Sequence, residues 1–127
     1  MKQIIKTQNA PLPIGPYNQA VIANNTLYIS GQIAINPANG ELVTTDIETE
    51  TRQVMENLQA ILTAAGLTFE NVLKASVFVK NMHYFSRINA IYNQYFNEAT
   101  APARELVEVA NLPRFVNIEI SMIASIG

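Results

Sequence analysis

The sequence has no cysteine, no tryptophan and one histidine, and only 14% of its 127 residues are Asp, Glu, Lys or Arg, where an average soluble domain carries about 25%. Without cysteine, disulfides, thiolate metal sites and a thiol nucleophile are excluded. Lys and Arg number 8 and Asp and Glu 10, a net charge of −2, so the basic stripe that gives phosphate affinity is missing and a nucleic-acid partner is disfavoured. No apolar run approaches the ~18 residues of a membrane span, and neither an export leader nor a lipidation box is evident. The expectation is a cytoplasmic protein with no membrane partner. What the sequence does have is apolar residues, 49% of the total, which excludes disorder and suits a single domain over residues 1–127 with a real core. So much apolar residue beside so little charge implies that other subunits cover part of the surface.

The element pattern is that of an α+β chain. Lys2 to Ile5 reads as a short strand, and the three prolines in Ala10–Tyr17 forbid a helix and leave an ordered loop. Asn18 to Ala23 and Thr26 to Ile35 form a hairpin about Asn24-Asn25, a pair that tolerates positive φ. From Asp46 to Ala65 the spacing of Ile47, Val54, Leu58, Ile61 and Ala65 predicts a helix, with Thr45-x-x-Glu48 as a capping box and Gly66 just past its end. Val72 to Lys80 alternates as a half-buried strand with Leu73, Ala75, Val77 and Val79 on one face. Tyr84 to Asn97 has helical spacing over three turns, and Arg104–Ala110 and Phe115–Ala124 read as two final strands. The order βββ-α-β-α-ββ implies a mixed sheet with two helices on one face.

Chemistry has few groups to draw on. His83 lies in a polar connection after a strand and reads as a solvated loop residue, and no set of metal ligands has usable spacing. Arg104 and Glu119 stand out because their strands are otherwise largely apolar. Glu119 shares a pleat face with Asn117 and Ser121, and Arg104 shares one with Leu106 and Glu108, which leaves Glu105 on the opposite side. These polar faces either meet water or form a cross-strand ion pair, or they line a cleft that one small sheet does not close and an oligomer interface would.

A set of short motifs in fixed order resembles the RidA/YjgF/YER/UK reactive-intermediate deaminase family. They are Asn9-Ala10-Pro11, Ile14-Gly15-Pro16-Tyr17, Ser30-Gly31-Gln32-Ile33, Ala64-Ala65-Gly66-Leu67, Val77-Phe78-Val79-Lys80, Asn89, Pro102-Ala103-Arg104, Val107-Glu108-Val109, Leu112-Pro113 and Ile118-Glu119-Ile120. The resemblance implies a chorismate-mutase-like (RidA-like) fold and a homotrimer whose sheets line a central barrel, with clefts between subunits. It implies hydrolysis of 2-imino acids such as 2-iminopropanoate and 2-iminobutanoate to 2-keto acids and ammonia, with no cofactor or metal. Arg104 would then hold the substrate carboxylate, Glu119 would activate water, and Tyr17, Gly31, Asn89 and Leu106 would shape the pocket. Taken singly, Tyr17 reads equally as an aromatic plug, Gly31 as a strand bulge and Asn89 as a solvated helix residue. Many deaminase members have Arg-Ser-Cys where this chain has Arg104-Glu105-Leu106. That departure keeps a second function open, a non-catalytic module that binds keto acids or amino acids. A third, endoribonuclease or translation inhibitor, is attached to the family by name and fits poorly with the charge balance.

Overall fold

A computed structural model describes residues 1–127. Its six strands are β1 (Gln3–Ile5), β2 (Ala20–Ala23), β3 (Thr26–Gln32), β4 (Val72–Val79), β5 (Ala103–Glu108) and β6 (Ile118–Ser125), and its helices are α1 (Ile47–Ala64) and α2 (Phe85–Tyr92). The strands form one sheet in the order β1-β2-β3-β6-β4-β5. Only β4 and β5 run parallel, because the connection between them carries α2 back across the sheet. The α+β architecture expected from the element order is therefore present.

The hairpin closes where it was expected, with Asn24 and Asn25 at φ 51° and 60°. In β6 the apolar side chains Ile118, Ile120, Met122 and Ala124 are buried. Together with Ala75, Val77 and Val79 of β4 and Leu27 and Ile29 of β3 they meet Val54, Leu58, Ile61 and Leu62 of α1 in one core. Burying a large aliphatic side chain is worth about 1.5–3 kcal/mol, so this alternation decides which face of each strand is covered. The opposite face is open in the single chain and presents Tyr28, Ser76, Phe78, Glu119 and Ser121.

The structure corrects several local expectations. The cap of α1 is Asp46, whose carboxylate accepts from Thr49 N–H at 2.8 Å. Glu48 does not complete a box with Thr45, because its two oxygens take Arg87 of α2 at 2.7 and 2.8 Å. Gly66, at φ +76°, ends the helix as foreseen. Leu73 does not share the buried face of Ala75: a register shift between Val72 and Lys74 turns it outward, 54% exposed. The second helix is shorter than its aromatic periodicity suggested. It stops at Tyr92 and passes through a 3₁₀ turn at Asn93–Tyr95, after which Tyr95 and Phe96 pack edge-on against Phe69 at 5.3 and 5.2 Å. The last strand starts at Ile118 rather than Phe115, because Arg114 and Phe115 both lie in the left-handed region.

Candidate functional site

The residues singled out in the sequence form two clusters on opposite sides of the sheet. The first is built around Glu119. Two residues of β3, Ser30 and Gly31, stand against one of β6, as the register shift between Ile29 and Gln32 records, so Gly31 is a bulge residue. A Cβ on Gly31 would stand 2.8 Å from Glu119 Cδ and 3.0 Å from its Oε2, so the bulge and the close approach are one feature: only a residue without a side chain lets the carboxyl lie against this backbone. Glu119, Gly31 and Tyr17 line a cleft of about 240 Å³ with Leu12, Ile14 and Arg114. Burial in this largely apolar surrounding pushes the Glu119 carboxyl above the ordinary glutamate value.

Two buried polar residues hold this cleft in shape. The Gln19 side chain accepts from Thr7 N–H at 2.8 Å and donates to the carbonyls of Thr7, Ala10 and Pro11, pinning the proline-rich loop over the end of β2. Glu50, fully buried in α1, accepts from Asn117 N–H and Asn117 Nδ2, both at 2.8 Å, and from Ile118 N–H at 3.2 Å. These bonds fix the start of β6 two residues ahead of Glu119. The sequence reading passed over both residues. A signal for Glu50 was present, since it sits between Ile47 and Val54 on the apolar stripe of α1, where a carboxylate must find donors.

The second cluster surrounds Arg104. It lies in register with the buried Ala75 of β4, so its side chain rises on the helix-covered side. There Nη1 donates to Asn89 Oδ1 at 2.8 Å. The guanidinium stands over the rings of Tyr92, at 4.8 Å, and Phe85, at 5.9 Å. Asn89 is therefore a partner of Arg104 rather than a solvated helix residue. Tyr92 is buried, its hydroxyl has no partner, and burial raises its pKa to about 12. Leu106 lies two residues along on the same face and packs against the core. On the other face Glu105 bonds Ser76 and pairs with Lys74 at 3.1 Å, so it leaves Arg104 without an acidic partner, as the pleat predicted.

One chain does not bring the two clusters together. Strand β4 separates β5 from β6, and the two key side chains leave the sheet on opposite faces, which removes the cross-strand ion pair as an explanation. His83 is exposed in a 3₁₀ turn outside both clusters. No three His, Asp or Glu side chains are grouped in a metal-binding arrangement, and neither helix is long and apolar enough to cross a membrane.

Comparison with known proteins places this arrangement. Residues 7–126 match the family described as Endoribonuclease L-PSP. A RutC family protein of Pyrococcus horikoshii is 52% identical over 124 residues, covering 98% of each chain. The chain belongs to the RidA/YjgF family. Among solved Rid-family folds, the Rid protein YyfA from Yersinia pestis superposes with a TM-score of 0.95 at 47% identity, covering 98% of this chain and 99% of that one. TdcF of E. coli, determined with bound serine, superposes with a TM-score of 0.91 at 42% identity, covering 97% and 98%. Rid-family membership accounts for the motif order from Asn9 to Ile120, and the mixed sheet with two helices is the architecture these neighbours share.

Proposed function

We propose that this Rid-family chain hydrolyses 2-imino acids, such as 2-iminopropanoate and 2-iminobutanoate, to 2-keto acids and ammonia. We further propose that it does so as a homotrimer, at clefts where Arg104 of one protomer faces Glu119 of its neighbour. The observation that carries this reading is the division of the site. Arg104 has no acidic partner and Glu119 no basic one within the chain, yet each is held by a built environment on opposite sides of the sheet. A symmetric oligomer brings such halves together without changing either. The thin surface charge and the open, part-apolar sheet face support burial against other copies, and the serine bound to TdcF is a molecule of the expected size and carboxylate chemistry.

In this scheme Arg104 takes the substrate carboxylate through two parallel N–H bonds, with its fork steadied by Asn89 and the Tyr92 ring. Glu119 removes a proton from water as the water oxygen bonds to the imine carbon, and returns it to the nitrogen, giving a neutral carbinolamine. The carboxylate then takes the hydroxyl proton and passes it to the nitrogen as the C–N bond breaks, so that the keto carbonyl forms and ammonia leaves. The balance is imine plus water to keto acid plus ammonia. No thiol is needed, because the imine carbon is already electrophilic. Leu106 in place of cysteine keeps the Arg104 side of the cleft dry, which strengthens the carboxylate contact.

The decisive experiment is complementation. Trimers of Arg104→Ala protomers and trimers of Glu119→Gln protomers should both be inactive. Co-expressed, they should form mixed trimers in which about one cleft in three again has both groups, so imine loss returns. Mixed trimers that form and stay inactive would overturn the shared site. A wild-type protein that binds small keto acids without accelerating imine loss would instead be the binding module. A further expected result concerns Gly31→Ala. Displacing Glu119 by the missing space should lower kcat/KM roughly 10- to 100-fold with little change in thermal unfolding, and an unchanged kcat/KM would show that the close approach is not used.

A further inference from the structure

Arg114 is the one basic residue this chain places in the Glu119 cleft, and the scheme above leaves it without a task. It lines the same cleft as Glu119, Gly31 and Tyr17, and the two ion pairs of the chain, Lys74–Glu105 and Arg87–Glu48, lie elsewhere. Its placement is built into the backbone. Arg114 and Phe115 are consecutive non-glycine residues at φ 55° and 57°, a strained conformation for L side chains that persists only where the surroundings impose it. The surroundings here are the buried Leu112 and Val116 on either side, together with the bonds Phe115 N–H to Leu112 O at 2.9 Å and Val116 N–H to Pro113 O at 3.3 Å.

The rest of the cleft wall suits the non-reacting part of a substrate. Leu12, Ile14, Ile33 and Ile35 are apolar, and Glu119 is the one acidic residue among the lining side chains. In the pose proposed above, with the first carboxylate on a neighbour's Arg104 and the imine carbon at Glu119, this wall is the surface left for the substrate side chain, and the basic group this chain places on it is the Arg114 guanidinium. A guanidinium that no protein acid neutralises favours a carboxylate at that end, held by charge-assisted bonds.

We propose that Arg114 is a specificity-determining residue that receives a second, distal carboxylate, so that the protein acts preferentially on imines of dicarboxylic 2-amino acids. This rests on the deaminase reading above. The test compares 2-iminoglutarate with 2-iminobutanoate, each generated in situ by an amino-acid oxidase, in wild-type protein and in Arg114→Gln and Arg114→Lys. The expected result is a kcat/KM ratio of dicarboxylic to monocarboxylic imine that favours 2-iminoglutarate in the wild type. Arg114→Gln should lower that ratio about tenfold or more, the scale of one charge-assisted contact, and Arg114→Lys should restore part of it. A ratio unchanged in Arg114→Gln, or a wild type that turns over 2-iminobutanoate and ignores 2-iminoglutarate, overturns this proposal and leaves the deaminase reading standing. Acceleration of neither imine overturns both. A second measurement needs no variant: 2-oxoglutarate should inhibit the wild type more strongly than 2-oxobutanoate, and the reverse order overturns the assignment.

Discussion

Arg104→Ala is expected to lower kcat/KM for 2-iminobutanoate by about 10²–10³-fold, the range seen when one partner of a desolvated charge pair is removed. The protein should stay folded and keep the oligomeric state of the wild type. Arg104 sits on β5, an edge strand, and its contacts are one hydrogen bond to Asn89 and the faces of two rings, so its loss opens no large cavity in the core. Arg104→Lys separates charge from geometry. Lysine keeps the positive charge but offers no planar fork to a carboxylate or to the Tyr92 ring, so it should recover only a small part of the activity. Steady-state kinetics together with sedimentation would check both statements. Undiminished turnover by an Arg104→Ala variant with the wild-type oligomeric state would remove the substrate carboxylate from this residue and the proposed mechanism with it.

Glu119→Gln is the second large effect, with an expected loss of about 10²–10⁴-fold in kcat, the usual contribution of general acid–base catalysis. It also carries a pH signature. Burial holds the Glu119 carboxyl above its ordinary 4.5, so wild-type activity should fall as the pH is lowered through a midpoint above that value. The other titratable groups lining the cleft are Tyr17 and Arg114. Neither is a carboxyl group, and His83 lies in a turn outside the cleft, so the residual rate of Glu119→Gln should lack this acid limb. The stability consequence has the opposite sign to that of an ion-paired carboxylate. Because the folded-state value is raised above the unfolded one, the folded protein binds more protons between the two, and this group's contribution falls as pH rises through that window. Above that window the ionised carboxylate is held at a cost, and there Glu119→Gln should unfold at the same temperature as the wild type or higher. A variant both inactive and clearly less stable would point to a structural role for Glu119 instead.

Placement of the two groups on opposite faces also explains why the site was only half legible before the fold was known. The pleat period alone assigned Glu119 to the face of Ser121 and separated Arg104 from Glu105, and both hold. Relating β5 to β6 required the strand order, and β4 inserts between them. The sequence alone left three arrangements open for Arg104 and Glu119, namely solvated faces, a cross-strand ion pair or a cleft closed by an oligomer interface, whereas the sheet directs the two side chains apart and removes the ion pair.

The sequence by itself determined what depends on short-range physics. Asn24-Asn25 accepts positive φ and makes a hairpin, three prolines bar a helix before Tyr17, the apolar stripe from Ile47 to Ile61 makes α1, and strict alternation from Ile118 to Ala124 buries one face of β6. Only the tertiary structure decided what depends on contacts between distant segments. Glu50 reaches Asn117 across 67 residues to set the start of β6, and Gln19 reaches back 12 residues to hold the proline-rich loop. The packing of the sheet turns Leu73 outward and forces Arg114 and Phe115 into left-handed backbone beside Glu119. Steric preference and side-chain period act over a few residues and can be read along the chain. Strand order, face and cleft arise from pairings whose free energy appears only when remote segments meet.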